Sequence, residues 1–276
     1  MQKRFWNHIE KMLPDQARGA MQRVRGRVDR LRLSRMSRRD AFTTIYAEAM
    51  WDESSNAGSD FCSGPGSRDD AIVSPYVTAV SAYLSRLGKP DVADLGCGDF
   101  TVGSQLRPFC GRYFAADIVP PLIERNRAKY GEFDVDFQVL DIVAEALPVV
   151  DVIMIRQVLQ HLSNDDIAQA LESIRRSCRH LILTEHVPAG RDFPPNADHE
   201  RGATIRLYKR EPSGVVLTTP PFNLVPKHEA ISEALANLSV SRAEKSVSAV
   251  IYMESFSCFM IISGFCVAKT ASVFLF

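Results

Sequence analysis

The segment Asp94-Leu95-Gly96-Cys97-Gly98-Asp99 places two closely spaced glycines between acids, directly after a short apolar stretch. Glycines at this spacing after a buried strand let the backbone turn sharply and approach a ligand closely. Dinucleotide-binding folds place a glycine where Asp94 stands, because their ligand carries an anionic pyrophosphate. The carboxylate of Asp94 would repel a phosphate and favour a cationic amino group. We therefore expect a cationic ligand, which Asp99 either orients or only adjoins as a cap of the next helix.

Two further carboxylates follow at the ends of the next two predicted strands. Asp117 stands nineteen residues beyond Gly98, where a carboxylate can accept both hydroxyls of a ribose. Asp141 can accept from an adenine amino group, while Ile118 and Ile142 can sandwich the ring. Ligands of open α/β sheets bind at the carboxyl edge, so three acids at that edge predict one site. S-adenosylmethionine combines an ammonium, a sulfonium, a ribose and an adenine, and is the expected cofactor.

An alternation of strands and helices positions these residues. The predicted strands are short, apolar and mostly β-branched, which suits strands buried on both faces. They are Val92–Leu95, Tyr113–Ile118, Asp136–Leu140, Val150–Ile155 and His180–Glu185. Helices are predicted between them, with further strands at Thr204–Tyr208 and Val215–Thr218. The pattern predicts an α/β fold with a doubly wound, Rossmann-like, mostly parallel sheet and an N-terminal helical extension.

The chain of 276 residues is long enough for one large domain with extensions. We predict a basic helical extension that ends in a Ser/Gly-rich loop over residues 1–71, and the α/β domain over residues 72–224. The segment 225–276 stays open, because its apolar run fits either the last strands of the sheet or a tail.

The beginning of the chain is strongly basic. Residues 1–40 hold twelve Lys and Arg against four Asp and Glu. Met21, Val24, Val28 and Leu31 fall at helical spacing and predict an amphipathic helix. This segment either is a solvated helix on the domain, makes a weak contact with anionic lipid or a membrane-bound partner, or is a disordered tail.

Charge and cysteine usage exclude several classes of protein. The formal net charge is zero, which gives no electrostatic case for a nucleic-acid partner. The six cysteines form no paired Cys-x-x-Cys motif and no close Cys/His cluster, so we expect no metal site and a reducing, cytoplasmic location. The N-terminus lacks the continuous apolar stretch of a secretory signal.

On these motifs the sequence resembles the class I S-adenosylmethionine-dependent methyltransferase family, over roughly residues 76–187. One departure is Phe100, which stands where the family often has a third glycine. A narrower resemblance, to a subgroup of small bacterial methyltransferases, rests on Ser63-Gly64-Pro65-Gly66-Ser67, Asp117-Ile118-Val119, Arg156-Gln157-Val158-Leu159-Gln160-His161-Leu162 and Pro221-Phe222-Asn223-Leu224. The resemblance implies a methyltransferase domain over residues 72–224. It also implies a small-molecule acceptor, for which a saccharide is one candidate.

Candidate catalytic residues lie beyond the strand ends. His161 is either a general base or substrate contact, or a structural residue beside the next helix. Arg156 contacts substrate or cofactor, or pairs with a nearby acid. Glu185 and His186 end the fifth strand, and one of them is a candidate for lining the acceptor pocket. The loops 63–67 and 196–206 are candidates for a lid over the acceptor.

Other functions remain to be weighed against methyl transfer. A nicotinamide-dependent dehydrogenase is opposed by Asp94, and a cofactor-binding protein without transferase activity is the non-enzymatic alternative. Base-methylating enzymes place an Asn/Asp-Pro-Pro-aromatic motif after the fourth strand, whereas this sequence has Ile155-Arg156-Gln157-Val158. Base methylation is therefore disfavoured.

Overall fold

The computed structural model describes residues 14–51, 61–188, 192–224, 246–254, 259–263 and 274–275. One sheet of eight strands runs in the order β3-β2-β1-β4-β5-β6-β7-β8. The strands are β1 Val92–Leu95, β2 Tyr113–Asp117, β3 Asp136–Val139, β4 Val152–Arg156, β5 His180–Pro188, β6 Ser246–Glu254, β7 Phe259–Ser263 and β8 Phe274–Leu275. Neighbours among β1 to β5 pair in parallel, which confirms the predicted α/β fold with a mostly parallel sheet.

Helices cover both faces of the parallel strands. They are α1 Asp15–Ser34, α2 Arg38–Ala47, α3 Asp70–Arg86, α4 Gly103–Leu106, α5 Pro120–Lys129 and α6 Asn164–Ser177. Ser37, Asp69 and Ser163 each precede a helix and accept a hydrogen bond from a backbone N–H of its first turn. These side chains satisfy donors that a helix start leaves without partners, which fixes where α2, α3 and α6 begin.

Alternate residues of the strands pack in two separate hydrophobic cores. Ala93 and Leu95 of β1 pack in the cluster that contains residues of α2 and α6. Val92 of the same strand packs in the cluster built on α3. Strand side chains alternate between faces, so a short, wholly apolar strand such as β1 is buried from both sides. The register aligns Leu95 with Ala116 and Ile155, which brings the carboxyl ends of β1, β2 and β4 to one edge.

The strands predicted at 204–208 and 215–218 are wrong. Residues Arg206–Tyr208 form a single 3₁₀ turn, and 215–218 are irregular. The Asn196 side chain accepts from Val216 N at 2.7 Å and donates to Val216 O at 2.8 Å. Both backbone groups that a neighbouring strand would need are therefore used by one side chain.

Strands β6 to β8 come from the segment whose fold the sequence left open. They extend the sheet beyond β5 by antiparallel pairing, with β6 against β5 along the whole of β5. Residues 225–245 and the short stretches between these strands lie outside the described residues, as do Cys258 and Cys266. Within the described part of the chain, no helix has both the length and the apolar character needed to cross a bilayer.

Candidate active site

A cavity of about 1380 Å³ lies at the carboxyl edge of the parallel strands. Pockets that hold one small molecule usually enclose about 300–1,000 Å³, so this cavity has room for a cofactor together with a second molecule. Every residue predicted from the sequence to bind the cofactor lines it. These are Asp94, Gly96, Cys97, Gly98, Asp99, Asp117, Ile118, Asp141, Ile142 and Arg156.

The glycine turn after β1 has no space for side chains. Gly96 and Gly98 have φ of 77° and 56°, in the left-handed region that favours glycine. A Cβ on Gly96 would collide with the Val158 side chain, and one on Gly98 with the Ser63 hydroxyl. The Gly98 carbonyl accepts from Asn126 Nδ2 at 2.8 Å, which fixes the turn against α5. Both glycines line the cavity, so backbone forms part of its wall where the sequence predicts a close approach to a ligand.

Phe100 stands where the family often has a third glycine, and its side chain does not line the cavity. Its φ is 59°, an unfavourable value for an aromatic residue. Its buried ring meets Tyr113, Tyr130 and Phe137 edge-on, with centroid separations of 5.6, 5.1 and 5.0 Å. This aromatic packing offsets the backbone strain and turns the side chain into the core.

Asp94 and Asp117 place two buried carboxyl groups beside the turn. Asp94 Oδ2 accepts from the Tyr113 hydroxyl at 3.0 Å. Asp117 accepts from Gly98 N and Val119 N, both at 3.1 Å. Burial raises the pKa of each carboxyl to about 6, because removal from water disfavours the charged form. A cationic group in the cavity would reverse this penalty.

Asp141 is held by charge from the N-terminal helices. Its Oδ2 receives Arg38 Nε at 2.8 Å, and Arg38 Nη1 also donates to Asp166 Oδ1 at 2.9 Å. Its Oδ1 accepts from Val143 N at 3.0 Å. Arg38 is not among the site residues predicted from the sequence, and it lies 103 residues from Asp141 along the chain. Only the docking of α2 on the sheet edge brings these two side chains together.

Asp99 is joined to the N-terminal region through Ser63. The Asp99 N–H donates to Ser63 Oγ at 2.9 Å, and Ser63 N donates to Asp99 Oδ2 at 3.4 Å. The Tyr46 hydroxyl lies 3.1 Å from the same Ser63 oxygen and also lines the cavity. The Asp99 side chain also accepts from Thr101 N at 3.2 Å, a bond within the turn ahead of α4, and it does not cap that helix, which begins after Val102 without a side-chain cap.

Arg156 extends from the end of β4 into the cavity. Its guanidinium lies 5.1 Å from the Tyr76 ring centre and donates to Gly66 O and, at 3.4 Å, to Ser67 Oγ. Its Nε–H is buried and has no hydrogen-bond partner among the described residues. A buried donor without an acceptor costs about 1–3 kcal/mol. A ligand oxygen that accepts from Nε would remove that cost.

His161 and His186 are connected through the Gln160 side chain. A carbonyl oxygen only accepts, so His161 Nδ1, 3.1 Å from Gly202 O, carries the proton of the neutral ring. Gln160 Nε2 then donates to His161 Nε2 at 3.4 Å, and Gln160 Oε1 accepts from His186 Nδ1 at 3.1 Å. These hydrogen bonds leave the lone pair of His186 on Nε2, which accepts from Gln157 Nε2 at 3.4 Å. Both histidines line the cavity.

Both imidazoles are held neutral. Burial lowers the pKa of His161 to about 3 and that of His186 to about 4, with Arg156 as a second cause for His186. The His161 ring lies beside Trp51, with centroids 5.0 Å apart, and beside Phe42 at 6.5 Å. This end of the cavity therefore combines aromatic walls with neutral nitrogen groups.

Glu185 does not reach the cavity. Its carboxylate is fully buried and accepts from Val158 N, Leu159 N and Gln160 N at 2.8–3.1 Å. These bonds hold the turn that carries His161. The expectation that Glu185 contacts the reacting groups is corrected to a structural role, and His186 is the residue of that pair that lines the cavity.

The fold and this site define an α/β protein that binds a cofactor at the carboxyl edge of a parallel sheet. Residues 93–180 match the family model of a methyltransferase domain, a span that includes Asp94, Asp117, Asp141, Arg156 and His161. The chain therefore contains a methyltransferase domain over about a third of its length, and S-adenosyl-L-methionine is the cofactor of the class I superfamily that its sequence resembles.

Solved structures of methyltransferases are similar to this chain. The N-methyltransferase NodS of Bradyrhizobium japonicum WM9, in complex with S-adenosylhomocysteine, is 18% identical over 42% of this chain and 63% of its own, with a TM-score of 0.39. The match thus spans less than two thirds of that protein. Magnesium protoporphyrin IX methyltransferase of Synechocystis PCC 6803 with bound S-adenosylmethionine is 17% identical over 60% of this chain and 81% of its own, with a TM-score of 0.45. No curated relative matches the chain.

The residues present fit the cofactor of this superfamily. The turn at Gly96 and Gly98 contributes backbone to the cavity wall. The two buried carboxyls with raised pKa, Asp94 and Asp117, are costly in charged form without a nearby cation. The unpartnered Nε–H of Arg156 offers a donor to a ligand carboxylate. A zwitterionic ligand with an additional sulfonium complements all three features.

Proposed function

We propose that this chain methylates a hydroxyl of a small-molecule acceptor, with a saccharide as the first candidate. The observation that carries the proposal is one cavity with two chemically different ends. Carboxyl groups line the end at β1, β2 and β3, while the other end has aromatic rings and the Nε2 lone pair of His186. The volume of about 1380 Å³ supports simultaneous binding of two molecules.

The carboxyl end is proposed to hold the cofactor. Asp94 and Asp99 face its amino-acid part, the Asp117 carboxylate accepts from its ribose hydroxyls, and Asp141 accepts from its adenine amino group. Ile118 and Ile142 flank the adenine ring, and Arg156 Nε donates to the carboxylate. When bound, S-adenosylmethionine supplies a methyl carbon activated by the adjacent sulfonium. The protein contributes alignment, which for such a displacement supplies much of the rate enhancement.

The histidine end is proposed to hold the acceptor and take its proton. His186 Nδ1 donates to Gln160 Oε1, so its Nε2 can accept a proton from an acceptor hydroxyl that takes the place of Gln157 Nε2, 3.4 Å away. The low pKa of His186 keeps this nitrogen unprotonated across the neutral range. His161 is buried and hydrogen-bonded at both ring nitrogens, to Gly202 O and Gln160 Nε2, so it is proposed to act through Gln160 as a positioning residue, whereas His186 is only half-buried. The aromatic faces of Trp51 and Phe42 suit the apolar face of a sugar ring.

The first experiment is calorimetric titration with S-adenosylhomocysteine and with NAD, followed by transfer of labelled methyl to a panel of saccharides and other hydroxyl compounds. Binding of S-adenosylhomocysteine alone and a labelled O-methyl product support the proposal. NAD binding would indicate a dehydrogenase. Cofactor binding with no product across the panel would indicate a cofactor-binding protein without transferase activity.

The second experiment tests the proton acceptor. His186→Gln is expected to lower kcat about 10²–10⁴-fold, because the general base is lost, while the affinity for S-adenosylhomocysteine stays within about twofold. His161→Gln is the comparison variant and is expected to lower kcat less, because it only loosens the position of Gln160. Equal losses in both variants, or an unchanged kcat in His186→Gln, would remove His186 from the proposed role.

A further inference from the structure

Helix α1 carries an exposed apolar stripe on its outer face. Val24, Val28 and Leu31 have 62%, 57% and 51% of their surface exposed. They are spaced four and three residues apart, so they lie one above the other on the same side of the helix. A surface helix of a globular protein normally turns such a stripe inward. Here the stripe faces out, which marks an interaction surface.

The position of α1 on the domain keeps this stripe outward. Leu33 lies on the opposite side of the helix and is buried in the core of the sheet. Arg25 and Asp29 line the cavity from the inner side. Arg32 Nη1 contacts Glu48 Oε1 at 2.8 Å, which ties α1 to the end of α2. The helix is therefore held by its inner side, and its outer side is available to a partner.

Arginines border the stripe. Helix α1 contains six arginines and two aspartates. At about 3.6 residues per turn, Arg27 lies beside the stripe, and Arg35 continues it beyond Leu31. Arg27 and Arg35 are exposed. A second copy of this face would bring arginines against arginines, so self-association through the stripe is electrostatically disfavoured.

We propose that α1 docks this chain on an anionic lipid surface, lying in the plane of the interface. An anionic bilayer supplies both things that the face requires, since its acyl region takes the apolar stripe and its headgroups take the arginines. The arginine stems extend along the apolar surface while their charged ends remain at the headgroups. The proposal is independent of the methyl acceptor, because the docking side and the cavity side of α1 are opposite.

The test is co-sedimentation of the full chain with vesicles of phosphatidylcholine alone and of phosphatidylcholine mixed with phosphatidylglycerol. The native chain is expected to bind only the anionic vesicles, and to bind less as salt increases. The triple variant Val24→Ser, Val28→Ser, Leu31→Ser is expected to bind at least about tenfold more weakly, because three apolar side chains lose their burial. Val149→Ser changes an exposed valine ahead of β4, at the other edge of the sheet, and is expected to leave binding unchanged.

Arginine-to-glutamine variants separate the electrostatic attraction to lipid headgroups from the apolar contribution to binding. Arg27→Gln with Arg35→Gln is expected to weaken binding about thirtyfold, since each arginine near an anionic surface contributes about fivefold. Arg176→Gln with Arg179→Gln removes the same charge from exposed positions at the amino edge of the sheet, and is expected to have little effect. Affinity for S-adenosylhomocysteine serves as the check that each variant is folded.

Four results would overturn the proposal. The native chain could fail to sediment with anionic vesicles, or it could bind neutral vesicles equally well. The triple variant could sediment like the native chain. Gel filtration could show a native dimer that the triple variant converts to a monomer, which would mean that a second copy covers the stripe.

Discussion

Replacing Asp94 by asparagine separates the cost of the buried carboxyl from its benefit to the cofactor. The pKa of Asp94 is raised from 3.8 to about 6, chiefly by burial, so the folded protein disfavours the charge that the unfolded chain tolerates. A shift of this size corresponds to as much as ~3 kcal/mol of stability lost at neutral pH. The amide side chain of the variant would keep an oxygen for the Tyr113 hydroxyl, which donates to Asp94 Oδ2 at 3.0 Å in the native chain.

The sign of the effect follows from the direction of the shift. Because the pKa of Asp94 is higher in the folded state, its contribution to stability is fully present below pH ~4 and is lost as pH rises through about 6. Asp94→Asn is therefore expected to raise the free energy of unfolding at pH 7.5 by up to ~3 kcal/mol in the cofactor-free protein. It is also expected to flatten the fall in stability between about pH 4 and 6.5.

Cofactor binding should change in the opposite direction. Loss of a hydrogen bond to a charged group costs about 1.5–3 kcal/mol, which corresponds to roughly 10- to 150-fold weaker binding of S-adenosylhomocysteine. Urea unfolding across about pH 4–7.5, with and without this ligand, measures both effects in one series, and calorimetry gives the affinity directly. If the reasoning holds, Asp94→Asn makes the ligand-free protein more stable and reduces the stabilisation that S-adenosylhomocysteine provides.

Asp91→Asn provides the control of opposite sign. Asp91 accepts from Arg112, and this hydrogen bonding lowers its pKa, so its contribution is present above the unfolded pKa and lost as pH falls. The variant is expected to be slightly less stable at neutral pH with unchanged ligand affinity. An Asp94→Asn protein with native stability, a native pH profile or native affinity would refute the account of a carboxyl kept for a cationic ligand.

Two further substitutions test the supporting structure. Phe100→Gly relieves a positive φ but empties the aromatic cluster, so thermal or urea unfolding should show a net loss of about 2–4 kcal/mol; no loss would mean that backbone strain outweighs packing there. Arg38→Ala leaves Asp141 and Asp166 without their shared cation, and calorimetry should show several-fold weaker S-adenosylhomocysteine binding. Arg39→Ala, whose ion pair is about half exposed, is the matched control, and equal effects of the two variants would contradict the assignment.

Much of the sheet and its acidic edge follows from local sequence. Strands β1 and β4 are short apolar runs, and such runs in alternation with helices have few arrangements other than a parallel sheet. Once the strands are parallel, residues at their carboxyl ends must share an edge. The meeting of Asp94, Asp117 and Asp141 at one cavity is thus a consequence of strand order, and it was predictable without knowledge of any side-chain contact.

The N-terminal contribution to the site has no comparable local signal. Arg38, Tyr46 and Ser63 reach Asp141 and Asp99 through contacts between residues far apart in sequence. Each of these residue types is ordinary for a helix or a loop, and nothing in their spacing indicates which edge of the sheet they will meet. Around Arg206 the local sequence predicts the wrong structure, because long-range contacts again decide the outcome. Its segment has a strand-like pattern, yet its buried guanidinium donates to the Leu162 carbonyl at 2.8 Å and holds the chain in a turn.

The inner and outer faces of the N-terminal helices have different roles in the proposed function. The inner faces of α1 and α2 complete the cavity, with Arg38 fixing the carboxylate proposed to contact the adenine ring. The outer face of α1 presents apolar and cationic groups that the domain itself does not use. Because α1 is tied to the end of α2 through Arg32 and Glu48, a membrane-docked α1 would hold the cavity at a fixed position relative to the lipid surface. The basic extension therefore forms one wall of the cavity, and it is also the element proposed to hold the cavity near the lipid surface.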